Sequence, residues 1–122
     1  TEVLNQDQRP LHRGLEKRQS DEIERICASI SDAPGAPHTV EQMAQRFGAS
    51  RYHFSRVFKR IKGMTPQDFI VSTRIEAAKS LLQGSSQPVR EIAELLGYSD
   101  TYFFSRQFRQ KAGMPPSAYR RQ

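Results

Sequence analysis

Hydrophobic residues return along most of this chain at the spacing of one face of an α-helix. From about residue 20 onward, apolar side chains are separated by three or four positions, which places them on a common helical face. No segment alternates apolar and polar residues with the period of two that is typical of a half-buried strand. The pattern therefore predicts an all-α fold. Its main stripes are Ile23/Ile26/Cys27/Ile30, Val40/Met43/Ala44/Phe47, Phe54/Val57/Phe58/Ile61, Phe69/Ile70/Ala77/Ala78/Leu81/Leu82, Val89/Ile92/Ala93/Leu96 and Phe104/Phe108.

Capping residues and chain breakers divide this pattern into separate helices. Side chains that can cap a helix N-terminus precede several stripes, and prolines suited to a first turn precede two others. The capping residues are Ser20, Thr39, Ser50 and Asp100, and the prolines are Pro66 and Pro88. The longest uninterrupted pattern runs from Pro66 to about Gln83. Residues 1–19 have no sustained period and contain Pro10 and Gly14, so we predict a linker or arm there.

The second half of the pattern repeats the first. The hexamer Phe54-Ser55-Arg56-Val57-Phe58-Lys59 returns fifty positions later as Phe104-Ser105-Arg106-Gln107-Phe108-Arg109. Gly48 matches Gly97 at an offset of 49, so the second turn is one residue longer. Each unit is therefore predicted to be a short helix, a glycine turn and a second helix, which is a helix-turn-helix. In each hexamer the phenylalanines face inward, and the serine and arginine face outward.

Basic charge is concentrated in the repeated part. Residues 1–38 carry 5 basic and 7 acidic side chains, a balance of −2, whereas residues 39–122 carry 14 and 6, a balance of +8. A basic face on two amphipathic helices is typical of proteins that bind nucleic acid. The alternative is a helical protein-interaction module, which an exposed apolar face would distinguish.

Composition argues against several other classes of site. The one cysteine, Cys27, allows neither an intrachain disulfide nor a cysteine-based metal cluster, and its apolar stripe predicts a buried thiol. The three histidines have no partner at metal-ligand spacing, and no catalytic arrangement of nucleophile and base is visible. We therefore expect no enzyme, no metal and no cofactor. No apolar run approaches the ~18 residues of a membrane span, so we expect a cytoplasmic protein without a membrane partner.

Four segments of the second half combine into a specific signature. They are Arg74-x-x-x-Ala78-x-x-Leu81-Leu82, Val89-x-x-Ile92-Ala93-x-x-Leu96-Gly97-Tyr98, Tyr102-Phe103-Phe104-Ser105-Arg106-Gln107-Phe108-Arg109 and Gly113-Met114-Pro115-Pro116-Ser117-x-Tyr119-Arg120. In this combined spacing, from about residue 20 to the C-terminus, the sequence resembles the DNA-binding domain of the AraC/XylS family of bacterial transcription regulators. It departs from the family at Pro115, where Thr or Ser is frequent, and Gln107 occupies a variable position.

The resemblance implies about seven helices that form two helix-turn-helix subdomains of homeodomain-like type, joined by a long helix. We accordingly predict an arm at 1–19 that follows a missing N-terminal sensor or dimerisation domain, a first subdomain at 20–65, a linker helix at 66–84 and a second subdomain at 85–122. The start at Thr1 in place of Met agrees with a fragment of a longer protein. RNA polymerase is a further partner that the resemblance suggests.

The resemblance also implies that the two recognition helices enter successive major-groove segments of double-stranded DNA. The first-turn and outward positions of both helices are then the candidates for base contacts. They are Arg51, Tyr52, Ser55, Arg56, Thr101, Tyr102, Ser105 and Arg106. The alternatives are a phosphate contact, a salt bridge or a solvated surface position for the arginines, partial burial for the tyrosines, and phosphate contacts for the serines.

A second group of residues is predicted to bind phosphate, which fixes register without reading sequence. It comprises the helix N-termini at Thr39 and Ser50 and the basic residues Lys59, Arg60, Arg109 and Lys111. For any single basic residue the alternative is a solvated surface charge. The residues before the two hexamers differ, with Arg51-Tyr52-His53 in the first unit and Thr101-Tyr102-Phe103 in the second. We therefore predict two different half-sites and an asymmetric operator.

Overall fold

The computed structural model describes the backbone of residues 2–122 and the side chains of residues 13–122. The described residues form seven helices and no strand, which confirms the predicted all-α class. Over the same residues, none of the helices is both long enough and apolar enough to cross a bilayer. In chain order the helices are α1 (Glu2–Asp32), α2 (Val40–Phe47), α3 (Arg51–Lys62), α4 (Pro66–Gly84), α5 (Val89–Leu95), α6 (Thr101–Ala112) and α7 (Pro116–Arg120).

The sequence repeat is also a structural repeat. Helices α2 and α3 form the first helix-turn-helix, and α5 and α6 form the second. In each unit the two phenylalanines of the repeated hexamer contact each other, with ring centroids 5.7 Å apart in α3 and 6.0 Å apart in α6. An aromatic residue from the following helix then packs edge-to-face on the second ring: Phe69 on Phe58 at 5.7 Å, and Tyr119 on Phe108 at 5.4 Å. The same aromatic cluster therefore holds the second helix of each unit in place.

A left-handed glycine forms the turn of each unit. Gly48 and Gly97 both have a φ of 89°, a conformation that is costly for residues with a side chain. The helix before each turn carries a buried alanine, Ala44 or Ala93, and these small side chains let the two helices of a unit cross closely. The two turns therefore share a left-handed glycine, although Gly48 caps α2 itself and Leu96 caps α5 one residue before Gly97.

Helix α4 belongs to both units. Its Ile70 lies in the buried cluster formed with α1, α2 and α3. Farther along the same helix, Val71, Ile75, Ala78 and Leu82 lie in the cluster formed with α5 and α6. The 19 residues of α4 thus connect the two cores through one continuous helix that occupies the predicted linker residues.

Three predicted N-caps and one predicted first-turn proline are confirmed. The hydroxyls of Thr39 and Ser50 each accept a hydrogen bond from the backbone N–H three residues on, at 3.1 Å. The Asp100 carboxylate accepts one from the N–H two residues on, at 2.9 Å. Pro66 lies in the first turn of α4. Pro88 instead precedes the first turn of α5 as its N-cap residue, because its ψ of 150° is extended and not helical.

The prediction that the first helix begins at Ser20 is wrong. Helix α1 is continuous from Glu2 to Asp32, so Ser20 lies inside it. Residues 15–19, Leu-Glu-Lys-Arg-Gln, are all strong helix formers, and the helix therefore runs through a residue that could also have capped one. The predicted arm is helical from Glu2 onward; Thr1 and the side chains of residues 2–12 lie outside the described part.

Cys27 lies on the buried face of α1, with 5% of its surface exposed. Burial raises the pKa of its thiol to about 11; a smaller effect of Lys62 lowers it, and Glu24 raises it slightly. The thiol is therefore protonated at neutral pH, as expected of a buried small hydrophobic residue and not of a reactive thiolate.

We expect the folded protein to react much more slowly with Ellman's reagent at pH 8 than the urea-denatured protein, because the thiolate is the reactive form. The absorbance of the released aromatic thiol measures both rates. A folded protein that reacts at the denatured rate would contradict the burial of Cys27.

Because the folded pKa is raised, the free energy of unfolding should also fall as pH increases from roughly 8.5, where an exposed thiol titrates, through about 11.

Candidate nucleic-acid interface

Helix α3 separates a buried apolar face from an exposed basic one. Phe54, Val57 and Phe58 are buried to 3% exposure or less, because apolar residues three and four positions apart lie on one face of a helix. On the remaining surface, residues 53, 56 and 60 flank Val57 and line a groove of about 350 Å³. Two of these three side chains, Arg56 and Arg60, are basic and exposed.

Tyr52 and Arg56 lie one helical turn apart and contact each other. The guanidinium carbon of Arg56 is 5.7 Å from the centroid of the Tyr52 ring, within the range of a cation–π interaction. Tyr52 is 73% exposed, so it is not partly buried against α2. Both members of this pair therefore project from the protein, and the contact restricts their orientations.

Arg51 forms an ion pair with Glu41 of α2. Both side chains are more than half exposed, so the pair contributes only about 0–1 kcal/mol to stability. Its main effect is to orient the Arg51 guanidinium at the start of α3. In the second unit, Arg90 and Thr101 occupy the two equivalent positions, so this ion pair has no counterpart there.

Helix α6 carries a related but different set of side chains. Tyr102 is 81% exposed and Phe103 is 45% exposed. The guanidinium carbon of Arg106 lies 6.0 Å from the Phe103 ring centroid, so the arginine of this unit lies over a phenylalanine where Arg56 lies over a tyrosine. Thr101, in the first turn, is half-buried. The two outer faces therefore present different groups from similar backbones.

The serines of the two hexamers are less exposed than predicted. Ser55 and Ser105 are both half-buried. Each directly follows an inward phenylalanine, and one step along a helix turns the side chain by only about 100°. Both hydroxyls therefore lie at the border between the core and the exposed face.

The predicted phosphate-binding residues all lie at the surface. Lys59 and Arg109 are exposed on α3 and α6. Arg60 donates a hydrogen bond to Gln19 of α1 at 3.3 Å. Lys111 lies 3.9 Å from an Asp68 carboxylate oxygen of α4. The Thr39 and Ser50 hydroxyls already accept capping hydrogen bonds. These bonds stabilise the N-termini of α2 and α3.

The comparison with known proteins gives this geometry a family. Residues 43–122 match the sequence model of a protein family described as a helix-turn-helix domain. An AraC-type DNA-binding domain-containing regulator from Chromobacterium violaceum has the same fold, with a TM-score of 0.76 and 24% identity over 84% of this chain and 91% of that one. The chain belongs to the AraC family of helix-turn-helix DNA-binding domains.

Two further similarities support the AraC assignment. The MmsAB operon regulatory protein of Pseudomonas aeruginosa is 35% identical over 113 residues, which are 93% of this chain and 36% of that protein. The chain thus spans about a third of that relative's length. The DNA-binding domain of AdpA, a global transcriptional factor whose structure is solved in complex with a target DNA, has a TM-score of 0.76 and 28% identity over 80% of this chain and 88% of that one.

Several residues of this AraC-type domain contact the candidate base-reading side chains, although the sequence patterns did not predict them. Glu41 orients Arg51, and Phe103 lies under Arg106. Gln107 accepts a 2.6 Å hydrogen bond from the Tyr98 hydroxyl, so it connects the recognition helix to the preceding turn. The alignment of the two units offered one signal, because opposite charges at positions 41 and 51 are replaced together in the second unit.

The described part of the AraC-type domain contains no group of three or more His, Cys, Asp or Glu side chains that could hold a metal ion. All buried side-chain nitrogen and oxygen atoms of the described residues have hydrogen-bond partners.

The Asp100 cap gives a stability prediction for the second recognition helix. Asp100→Ala removes the acceptor for the Tyr102 N–H, and we expect a loss of about 1 kcal/mol in the free energy of unfolding. Asp100→Asn keeps an acceptor oxygen and should cost less. Urea denaturation followed by circular dichroism measures both variants. Equal losses in the two variants would contradict the assignment of this stability to the hydrogen bond from the Tyr102 N–H.

Proposed function

We propose that the chain binds double-stranded DNA in a sequence-specific manner and thereby regulates transcription in a bacterium. In this proposal α3 and α6 each enter the major groove, in successive segments, and the chain has no catalytic activity of its own. One observation carries the proposal: two copies of one helix-turn-helix expose arginine beside an aromatic ring on the outer face of the second helix.

The first unit would read bases through the exposed face of α3. Arginine can donate two hydrogen bonds to guanine O6 and N7, and an aromatic ring or a small hydroxyl can contact neighbouring groups in the groove. Of the arginines on this face, Arg51 and Arg56 are the proposed base readers, and Glu41 and Tyr52 orient them. Ser55 lies beside them at the border of the core.

The second unit would read a different half-site through Thr101, Tyr102, Ser105 and Arg106. Its first turn begins with Thr101 and lacks the guanidinium that Arg51 supplies in the first unit. A helix that starts with a different donor set favours a different base sequence. The proposed operator is therefore asymmetric.

Phosphate contacts would place the two helices in register on the duplex. Lys59, Arg60, Arg109 and Lys111 are exposed around the two recognition helices, and the helix N-termini at Thr39 and Ser50 offer backbone N–H groups. To bind a phosphate, Arg60 would have to give up its hydrogen bond to Gln19 or contact both groups at once, and Lys111 would have to do the same with Asp68. The balance of +8 over residues 39–122 supports this role.

The proposal extends to partners outside this chain. The Pseudomonas aeruginosa relative is an operon regulatory protein almost three times as long as the matched region. A sensor or dimerisation domain in the full protein, a contact with RNA polymerase and a cytoplasmic location beside bacterial DNA all accord with regulation of an operon.

Salt dependence gives the first functional prediction. Four cationic phosphate contacts imply a slope of log K against log salt of roughly −3.6, so affinity should fall by about 100-fold between 50 and 200 mM salt. Fluorescence anisotropy with an operator selected from random duplexes measures this slope. A random duplex of equal length is the control for non-specific binding. Affinity that is unchanged over this range would contradict the proposed phosphate contacts.

Arg56 and Lys59 should differ in what they contribute. Arg56→Ala removes a proposed guanine contact, and we expect roughly a 5- to 150-fold loss on the selected operator with a much smaller loss on random DNA. Lys59→Ala, from the same exposed face, should weaken both by a similar factor and make the salt slope about 0.9 less steep. Equal losses of Arg56→Ala on operator and random DNA would remove Arg56 from the base readers.

A further inference from the structure

The two helix-turn-helix units touch each other away from α4. The loop between α1 and α2 belongs to the first unit, and the turn between α5 and α6 belongs to the second. A Cβ placed on Gly35 of that loop would lie 2.1 Å from the carbonyl oxygen of Leu95, and a Cβ placed on Gly97 would lie 2.8 Å from the carbonyl oxygen of Gly35. The two backbones are therefore in contact at a point where no side chain fits between them.

Arg74 of α4 stabilises the loop that makes this contact. Its Nε donates a hydrogen bond to the Pro34 carbonyl at 2.9 Å, and its Nη2 donates one to the Ala36 carbonyl at 3.1 Å. One planar guanidinium thus holds the carbonyls on both sides of Gly35. A lysine ammonium cannot reproduce that two-pronged geometry.

The same guanidinium also contacts the second unit. Its carbon lies 5.8 Å from the ring centroid of Tyr98, which is 8% exposed. Tyr98 in turn packs against Phe104 at 5.1 Å and donates its hydroxyl hydrogen bond to Gln107, both on α6. A continuous series of contacts therefore connects the loop of the first unit to α6, through Arg74 and Tyr98.

We infer that Arg74 and the Gly35–Gly97 contact hold the two recognition helices at one separation and rotation, and so make the chain discriminate operators by the spacing between half-sites. The inference rests on the proposed function. A single connecting helix would let the units bend or twist about its axis, whereas a second contact away from that axis opposes both motions. Arg74 is a positioning residue in this scheme, because it acts through Gly35 and Tyr98.

The chain supplies a matched control for Arg74. Arg120 also donates from Nε and Nη2 to two backbone carbonyls, those of Leu82 at 3.0 Å and Ser85 at 3.4 Å. Its contacts join α7 to the end of α4 within the second unit. Arg74→Met and Arg120→Met therefore remove the same kind of interaction, but only the first removes it between the units.

The glycine contact has its own control. Gly35→Ala adds a Cβ against the Leu95 carbonyl and should force the units apart. Gly84→Ala adds the same group at the end of α4, where no heavy atom lies within 4 Å.

The test is to measure how the affinity for DNA changes with the number of base pairs between the two half-sites. Inserting one base pair between the half-sites moves the second by about 3.4 Å and rotates it by roughly 34°. We expect the unchanged protein, Arg120→Met and Gly84→Ala to lose more than about 30-fold in affinity on the inserted operator, relative to their own affinity for the original one. We expect Arg74→Met and Gly35→Ala to lose less than about threefold. A folded Arg74→Met that keeps the unchanged profile would overturn the inference.

A measurement without DNA separates this inference from the proposed function. Spin labels at Gln45→Cys on α2 and Gln110→Cys on α6, both exposed positions, report the distance between the units by pulsed electron resonance. The buried Cys27 should label slowly, and a Cys27→Ala background removes it altogether. The unchanged domain should give one narrow distance distribution, and Arg74→Met a broader one. A broad distribution in the unchanged domain overturns the inference even if a variant fails to fold.

Discussion

Burial of the paired phenylalanines of the two hexamers is the constraint on which the rest of the structure depends. All four rings are fully buried, and each contributes about 1.5–3 kcal/mol relative to an exposed ring. Because the rings must face the core, the opposite side of each recognition helix must face solvent. The arginines and exposed aromatic residues are on that side for this reason, and their positions on the helix follow from the helical period.

The repeat keeps its core and varies its surface. The phenylalanines, the left-handed glycines and the edge-to-face aromatic contacts from Phe69 and Tyr119 occur in both units. The outer faces differ at their first turns, where one unit has a Glu41–Arg51 ion pair and the other has Arg90 and Thr101. Duplication with a fixed interior and a changed exterior gives two helices of similar shape and different outer faces, and this supports the asymmetric operator that we propose.

The sequence predicted the elements whose causes are local. Helical period, capping residues and glycine turns are properties of short segments, so the positions of α2, α3, α4 and α6 and the buried hexamer rings could be read directly. The start of α1 could not, because a good capping residue and a good helix interior are both available around Ser20. The partners of Arg74 could not either, since its two carbonyl acceptors lie 38 and 40 positions away in sequence and are backbone atoms that no side-chain pattern marks. Likewise, the sequence pattern predicted the exposed side chains of α3 and α6, but their contacts with Glu41 and Phe103 depend on packing and side-chain orientation that the pattern does not specify.

Guanine N7 methylation footprinting on a selected operator is the most direct measurement of whether two rigidly held helices read successive major-groove segments. Two protected clusters about 10–10.5 base pairs apart, on one face of the duplex and with different sequences, are expected. A single protected cluster, or two clusters on opposite faces of the duplex, would contradict the central claim.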